Sequence, residues 1–145
     1  MMKNLFQILC GLFLVVSYSS CMHSEEDKVD VLIIGGGASG VTSGIQSARM
    51  GANTLILEES TWLGGMLTSA GVSAVDGNYR LPAGLWGEFK NRLSDYYGGL
   101  DSLKTGWVSN VLFEPSVGNK ILHEMVAAEN NLKVWKQACL EEVKR

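Results

Sequence analysis

A run of apolar residues that ends in a cluster of glycines limits what this chain of 145 residues can fold into. Residues 29–34 read Val-Asp-Val-Leu-Ile-Ile, which is typical of a strand buried on both faces of a parallel sheet. Gly35, Gly37 and Gly40 follow with the spacing G-x-G-x-x-G, and residues 38–50 show the apolar spacing of a helix. The pattern therefore predicts a strand, a tight turn and a helix in succession, which indicates an α/β fold.

Each glycine of this turn has a separate physical role in binding a dinucleotide. Gly35 permits the tight turn, Gly37 lets the backbone approach a pyrophosphate, and Gly40 lets the helix pack closely on the strand. Ala38 and Ser39 begin the helix, where free N–H donors and a partial positive charge favour phosphate groups. The turn therefore predicts a dinucleotide site.

An acidic residue follows at the end of the next predicted strand. Residues 54–57 are mostly apolar, and Glu58 comes 23 positions after Gly35, near the separation of about 20 expected for the acid that binds a ribose. Glu59 is the neighbouring alternative, but strand alternation places Glu58 at the tip. A carboxylate at this position repels a 2′-phosphate, so NADP is disfavoured.

A second glycine pair lies shortly after this acid. Gly64 and Gly65 open the segment Gly-Gly-Met-Leu-Thr, where they can form a backbone nest for an anion without steric cost. Together with the first glycine cluster and Glu58, this segment resembles the FAD-dependent oxidoreductases of the glutathione-reductase-like superfamily. The resemblance extends over about residues 29–145 and implies a Rossmann-like FAD-binding domain with a parallel sheet.

The resemblance also implies a set of cofactor contacts and a function. It adds a segment near Leu140 whose backbone touches the adenine. From their position after the second glycine pair, the hydroxyls of Thr68 and Ser69 are expected near the ribityl or flavin end. The predicted FAD-binding residues are Gly35, Gly37, Ala38, Ser39, Gly40, Glu58, Gly64, Gly65, Met66 and Leu140. The expected function is the FAD-binding portion of an oxidoreductase. An NAD-binding dehydrogenase module and a non-catalytic dinucleotide-binding pseudoenzyme remain alternatives.

The remainder of the chain predicts further elements and no catalytic residue. A short strand is expected over 72–75, a loop over 76–82, an irregular segment over 100–110 and a strand over 132–135. A helix is expected from residue 85 until Gly98 and Gly99 end it. A second helix is expected over 115–129, with Pro115 at its start. Asp76, Tyr79 and Arg80 are polar, but nothing in the sequence distinguishes them from the residues of an ordinary solvent-exposed loop. The substrate therefore stays unknown.

The resemblance further implies that residues 29–145 form only the N-terminal part of an FAD domain. Similar proteins continue into a substrate domain and return late in the chain with a Gly-Asp segment that closes over the flavin ribityl. We therefore expect a missing C-terminal half or a partner chain, without which the chain is inactive.

The N-terminal residues predict export from the cytoplasm. Lys3 precedes an apolar segment over 5–16, which is too short to span a bilayer and is typical of a signal peptide over residues 1–20. Cys21 follows small residues and resembles the lipidation site of a bacterial lipoprotein, with ordinary secretion as the alternative. Residues 21–28 are predicted to be a polar, acidic linker. The expected location is the cell envelope, with a membrane tether through Cys21.

Charge and cysteine content exclude several classes of function. The formal net charge is −3, which argues against a nucleic-acid-binding protein. Cys10 and Cys21 precede the folded part, so Cys139 alone remains for it. This excludes a disulfide framework, a C-x-x-C redox pair and a cysteine-bound iron–sulfur cluster within that part. No metal site is predicted.

Overall fold

The structure is a computed structural model, and it describes residues 28–107 and 109–144. The predicted signal peptide, Cys21 and all but the last residue of the predicted linker lie outside these ranges. Within them, no helix has both the length and the apolar character needed to cross a membrane.

Three parallel strands form the sheet of this α/β structure. They are β1 (Val31–Ile34), β2 (Thr54–Glu58) and β3 (Leu132–Lys136), in the spatial order β1-β2-β3. Because the strands are parallel, their carboxyl ends meet at one edge, as ligand sites in such sheets require. The predicted parallel sheet, including its third strand, is confirmed.

Three helices accompany these strands in the described part of the chain, and the first and third of them pack on the sheet. They are α1 (Ala38–Arg49), α2 (Gly84–Tyr97) and α3 (Pro115–Ala127). Gly98 ends α2 in a left-handed conformation with a φ of 79°, and α3 starts at its proline as predicted. Short 3₁₀ helices lie at Gly65–Leu67 and Leu100–Leu103. The second of these corrects the prediction that residues 100–110 are irregular throughout.

The predicted strand over 72–75 is not formed. Ala74 makes a single antiparallel bridge to Leu112, and Val75 donates its N–H to the carbonyl of Val111 at 3.1 Å. The apolar run is short and glycines flank it at 71 and 77. The segment therefore pairs for one bridge only and continues as a loop.

The core lies between one face of the sheet and the helices. The buried face of α1 packs on Ile56 of β2, and α3 packs beside α1 on the same side. The fully or almost fully buried apolar side chains include Val41, Ile45, Ile56, Leu63, Leu93, Leu103, Ile121 and Met125. The members of this set that lie in α1, α2 and α3 follow the helical spacing of the sequence, so burial of these apolar stripes fixes where the helices lie.

Among the described residues, the opposite face of the sheet is open at the outer strands β1 and β3, whereas Leu55 of the central strand on that face is 4% exposed. Leu32 and Ile34 are 47% and 54% exposed, and Trp135 on the same face is 46% exposed. The prediction that β1 is buried on both faces is therefore wrong for this part of the chain. The physical reason is that α1 and α3 contact each other on one side of the sheet and cover only that side.

The close packing of α1 on the sheet predicts a stability loss in Gly44→Ala. The new Cβ would lie 2.7 Å from Cδ1 of Ile56 and 3.3 Å from Leu132, and overpacking of this kind typically costs about 1–3 kcal/mol. Urea unfolding should show that loss. Gly77→Ala is the matched control, because its Cβ would meet no atom within 4 Å. Equal unfolding midpoints for the two variants would contradict this packing.

Candidate dinucleotide-binding cleft

The turn between β1 and α1 requires glycine at two positions. Gly35 has a φ of 95°, and its N–H donates to the carbonyl of Leu57 at 2.8 Å. A Cβ on Gly40 would lie 1.9 Å from the carbonyl oxygen of Gly35. The helix therefore starts in direct contact with the strand end, as the spacing of the glycines predicts.

Gly37 faces open space at the N-terminus of α1. A Cβ built on Gly37 would meet no atom within 4 Å, although its φ of −64° is accessible to any residue. No side chain caps this end of the helix, and its first turn contains no acid. The first N–H groups of α1, at Ala38 and Ser39, lack intrahelical acceptors and can bind an anion.

Glu58 is the last residue of β2 and joins the two strand ends. Its Oε2 accepts the N–H of Gly36 at 2.6 Å, and its Oε1 accepts the N–H of Ser60 at 2.7 Å. Each carboxylate oxygen keeps a second lone pair for a ligand hydroxyl. Glu59, the alternative acid, is exposed.

Hydrogen bonds keep the Glu58 carboxylate ionised. Burial pushes its pKa upward, but hydrogen bonds from Ser60 and from the backbone of Gly36 outweigh that effect and lower the pKa below the ordinary value. At neutral pH the side chain therefore presents a negative charge and acceptor atoms only.

The second glycine pair lies directly against the first cluster. The N–H of Gly64 donates to the carbonyl of Gly36 at 2.8 Å, and Gly37 and Gly64 form a parallel bridge. A Cβ on Gly65 would lie 3.1 Å from Cα of Gly37. Met66 follows in the 3₁₀ helix and is 68% exposed. The structure thus brings together two glycine segments that are separated in sequence.

Two side chains hold this second loop in place. Asn119 of α3 accepts the N–H of Leu63 at 2.9 Å, and the hydroxyl of Thr68 donates to the carbonyl of Leu63. Thr68 is 1% exposed, so the expectation that its hydroxyl faces the flavin is wrong. The hydroxyl of Ser69 donates to the carbonyl of Gly65.

The sequence reasoning missed two residues of the cleft, Gly36 and Asn119. The run of three consecutive glycines is the signal for Gly36, since a Cβ there would lie 2.7 Å from Cδ2 of Leu63. No local pattern indicates Asn119, because it lies on a distant helix.

A cavity of about 330 Å³ lies at the carboxyl ends of β1 and β2. It is lined by Gly35 and Glu58 and also by Leu140. The N–H of Ala138 donates to the backbone carbonyl of Glu58 at 3.1 Å. This hydrogen bond holds the segment after β3 against the end of β2. The structure therefore brings Leu140 to the predicted ribose-binding acid.

A second cavity, of about 270 Å³, lies at the first turn of α1. Ala38 and Ser39 line it on one side, and Leu67 and Trp86 line it on others. Trp86 Nε1 is buried and has no hydrogen-bond partner among the described residues. Five of the ten predicted contact residues thus line one of these two cavities: Gly35, Glu58 and Leu140 line the first, and Ala38 and Ser39 line the second. Within residues 28–107 and 109–144, no cluster of metal-ligating side chains occurs.

The comparisons with known proteins give a family match over most of the chain. The family described as FAD dependent oxidoreductase matches residues 30–145. No curated protein gives a significant match.

Several solved structures are similar at low sequence identity. Thermovibrio ammonificans THI4 is 18% identical, with a TM-score of 0.44, and the match covers 90% of this chain and 45% of that one. Aquifex aeolicus GidA is 22% identical, with a TM-score of 0.42 and coverages of 78% and 20%. The p-nitrophenol 4-monooxygenase PnpA of Pseudomonas putida DLL-E4 is 14% identical, with a TM-score of 0.43 and coverages of 79% and 33%. The chain spans less than half the length of each.

The hydrogen bonds of Glu58 predict a stability that depends on pH. Because its folded pKa is lowered, its contribution is present above the ordinary value of 4.5 and is lost as the pH falls through the lowered pKa. Glu58→Gln should lose about 1.5–3 kcal/mol at pH 7, since an amide cannot accept both N–H groups as a carboxylate does. It should also remove this part of the acid sensitivity.

Urea unfolding at a series of pH values, from pH 7 downward through 4.5 to the acid limit of folding, measures both effects. Glu59→Gln is the matched control, because it removes an exposed charge next to Glu58. A Glu58→Gln variant as stable as Glu59→Gln at pH 7 would rule out the bridging role of the carboxylate.

Proposed function

The chain belongs to the FAD dependent oxidoreductase family, so its cofactor is FAD, and we propose that the cleft at the glycine turn holds it. The proposed contacts are the ten residues that the sequence predicts: Gly35, Gly37, Ala38, Ser39, Gly40, Glu58, Gly64, Gly65, Met66 and Leu140. The observation that carries the proposal is the contact of the two glycine segments around an open position. Backbone N–H donors for a pyrophosphate and a carboxylate for ribose hydroxyls are present there, and an extended dinucleotide needs both.

The cleft fits the pyrophosphate of FAD. A Cβ at Gly37 would fill space that no protein atom occupies, and the uncapped first turn of α1 adjoins that space. Backbone donors can therefore approach phosphate oxygens at close range, and the helix dipole favours their charge. Gly65 lies beside Gly37 and adds backbone without a side chain.

The cavity at the strand ends fits the adenosine part. Glu58 accepts the ribose hydroxyls with the lone pairs that Gly36 and Ser60 leave free. The segment that ends at Leu140 flanks the adenine, because it lines the same cavity as Glu58. The negative charge of Glu58 repels a 2′-phosphate and so selects against NADP-like ligands.

FAD supplies the electron-transfer chemistry when bound, and the protein supplies binding, orientation and electrostatics. The cleft residues provide backbone donors and one carboxylate, whose role is structural and ribose-binding. We therefore propose that the groups acting on the substrate come from further polypeptide, either of this protein or of a partner chain.

We also propose that the protein is located in the cell envelope. The short apolar segment over 5–16 and the small residues before Cys21 support export and lipid attachment at that cysteine. The acidic linker over 21–28 would then separate the lipid from the FAD-binding part.

The proposed cofactor site predicts a selective effect of Gly37→Ala. The φ of −64° allows alanine, so the variant should unfold like the wild type, but its methyl group enters the space for the pyrophosphate. We expect FAD affinity to fall at least about tenfold, an effect of about 1.4 kcal/mol or more. Flavin absorbance retained through gel filtration and a titration with FAD measure this.

Gly77→Ala is the control, because it also adds a methyl group in open space but lies away from the cleft. The proposal fails if Gly37→Ala binds FAD like the wild type. Tight NADH binding with no retained flavin would instead favour a dehydrogenase module.

The proposed lipid attachment predicts the behaviour of the two cysteine variants. A bacterial host supplied with radiolabelled palmitate should label the full chain and release it only with detergent. Cys21→Ser should abolish the label, whereas Cys139→Ser should keep it, since Cys139 lies in the folded part. Equal labelling of both variants would show that Cys21 carries no lipid.

A further inference from the structure

A cleft of about 510 Å³ lies outside the proposed cofactor site. Its polar lining consists of Tyr79, Arg80, Lys90, Lys104 and Asn110, and none of these is among the proposed FAD contacts. Its volume is within the range of small-molecule sites, about 300–1,000 Å³. Three of its lining side chains are cationic and none is acidic.

Lys90 of α2 lines this cleft and is almost fully buried. The residue is 7% exposed, and its Nζ donates to the carbonyls of Tyr79 at 2.8 Å and Leu81 at 2.9 Å. Within the part of the chain that the structure describes, no carboxylate pairs with it. An ammonium has three donors; the third has no hydrogen-bond acceptor among the described residues, and the ring centroid of Trp86 lies 5.9 Å from the same Nζ. A buried cation is costly unless an anion compensates it.

Arg80 is fixed next to Lys90 by the same contacts. Lys90 binds the carbonyls of the residues on either side of Arg80, which holds the backbone of that loop against α2. The Nε of Arg80 donates to the hydroxyl of Tyr79 at 3.1 Å. Its terminal Nη groups have no acceptor among the described residues, and these are the groups that bind carboxylate or phosphate in a bidentate manner.

Lys104 approaches the cleft from another segment. It follows Leu103, which is fully buried and whose carbonyl accepts the N–H of Leu112 at 2.9 Å. Its Nζ pairs at 3.0 Å with Asp101, a carboxylate that is 97% exposed. Such an exposed pair is weak and leaves Lys104 available to a second anion.

We propose that this cleft binds a small molecule through a carboxylate or phosphate group. Three cations from three segments converge on a cavity whose lining holds no acid, and one of them is buried without a charged partner among the described residues. The side-chain amide of Asn110 adds further donors. The site shares no residue with the proposed cofactor contacts.

Calorimetric titration of the full chain with inorganic phosphate, and separately with succinate, tests the site. We expect saturable binding of at least one anion, and the relative affinities distinguish a phosphate site from a carboxylate site. The variant Arg80→Gln/Lys104→Gln should bind at least about tenfold more weakly, since it removes two of the three cations. Both positions are exposed, so folding should be unaffected.

Lys28→Gln/Lys120→Gln is the matched control, because it removes two exposed charges outside the cleft and should bind within about twofold of the wild type. Lys90→Gln should also weaken anion binding, because it removes the third cation of the cleft. The proposal is overturned if neither anion binds, or if Arg80→Gln/Lys104→Gln binds like the control.

A titration repeated with saturating FAD separates this site from the cofactor cleft. Anion binding that persists in the presence of FAD supports the separate cleft. Anion binding that FAD abolishes, and that the Arg80/Lys104 substitutions leave unchanged, would place the ion at the N-terminus of α1 and overturn the proposal. Loss of FAD binding in Gly37→Ala tests the cofactor site alone, so the two proposals can fail separately.

Discussion

The carboxylate of Glu58 is the interaction on which the candidate cofactor site depends. It accepts the N–H of Gly36 from the turn after β1 and the N–H of Ser60 from the loop after β2. The carbonyl of Gly36 then accepts the N–H of Gly64, which brings the second glycine segment against the first. One ionised side chain therefore links the turn after β1 to the start of the loop after β2, and Asn119 and Thr68 hold the rest of that loop.

Two proposed sites in this small structure attract anions by different physical means. The proposed cleft at α1 would use backbone donors and a helix terminus, and the open position at Gly37 would admit a phosphate to close range. The second cleft uses the side-chain charges of Arg80, Lys90 and Lys104. Trp86 lines the cavity at α1, and its ring lies 5.9 Å from the ammonium of Lys90, so the two regions are neighbours.

Local spacing was enough to predict much of the fold and the glycine turn of the candidate cofactor site. The strand, turn and helix around Gly35 and Gly40 follow from sterics within a few residues, and Glu58 follows from its place at the end of a strand. The same reasoning failed where partners are distant or few. It predicted a strand over 72–75 that forms one bridge, and it placed the hydroxyl of Thr68 near the flavin although the core buries it.

By itself, the sequence determined the element types, the glycine positions and the family, because these depend on neighbouring residues and on their periodicity. Only the tertiary structure decided that Gly64 lies on Gly36, that Leu140 reaches the cavity of Glu58 and that Lys90 is buried beneath the loop around Arg80. These contacts join segments far apart in the chain. They are set by strand pairing and by the packing of helices on one face of the sheet, which no local pattern of residues records.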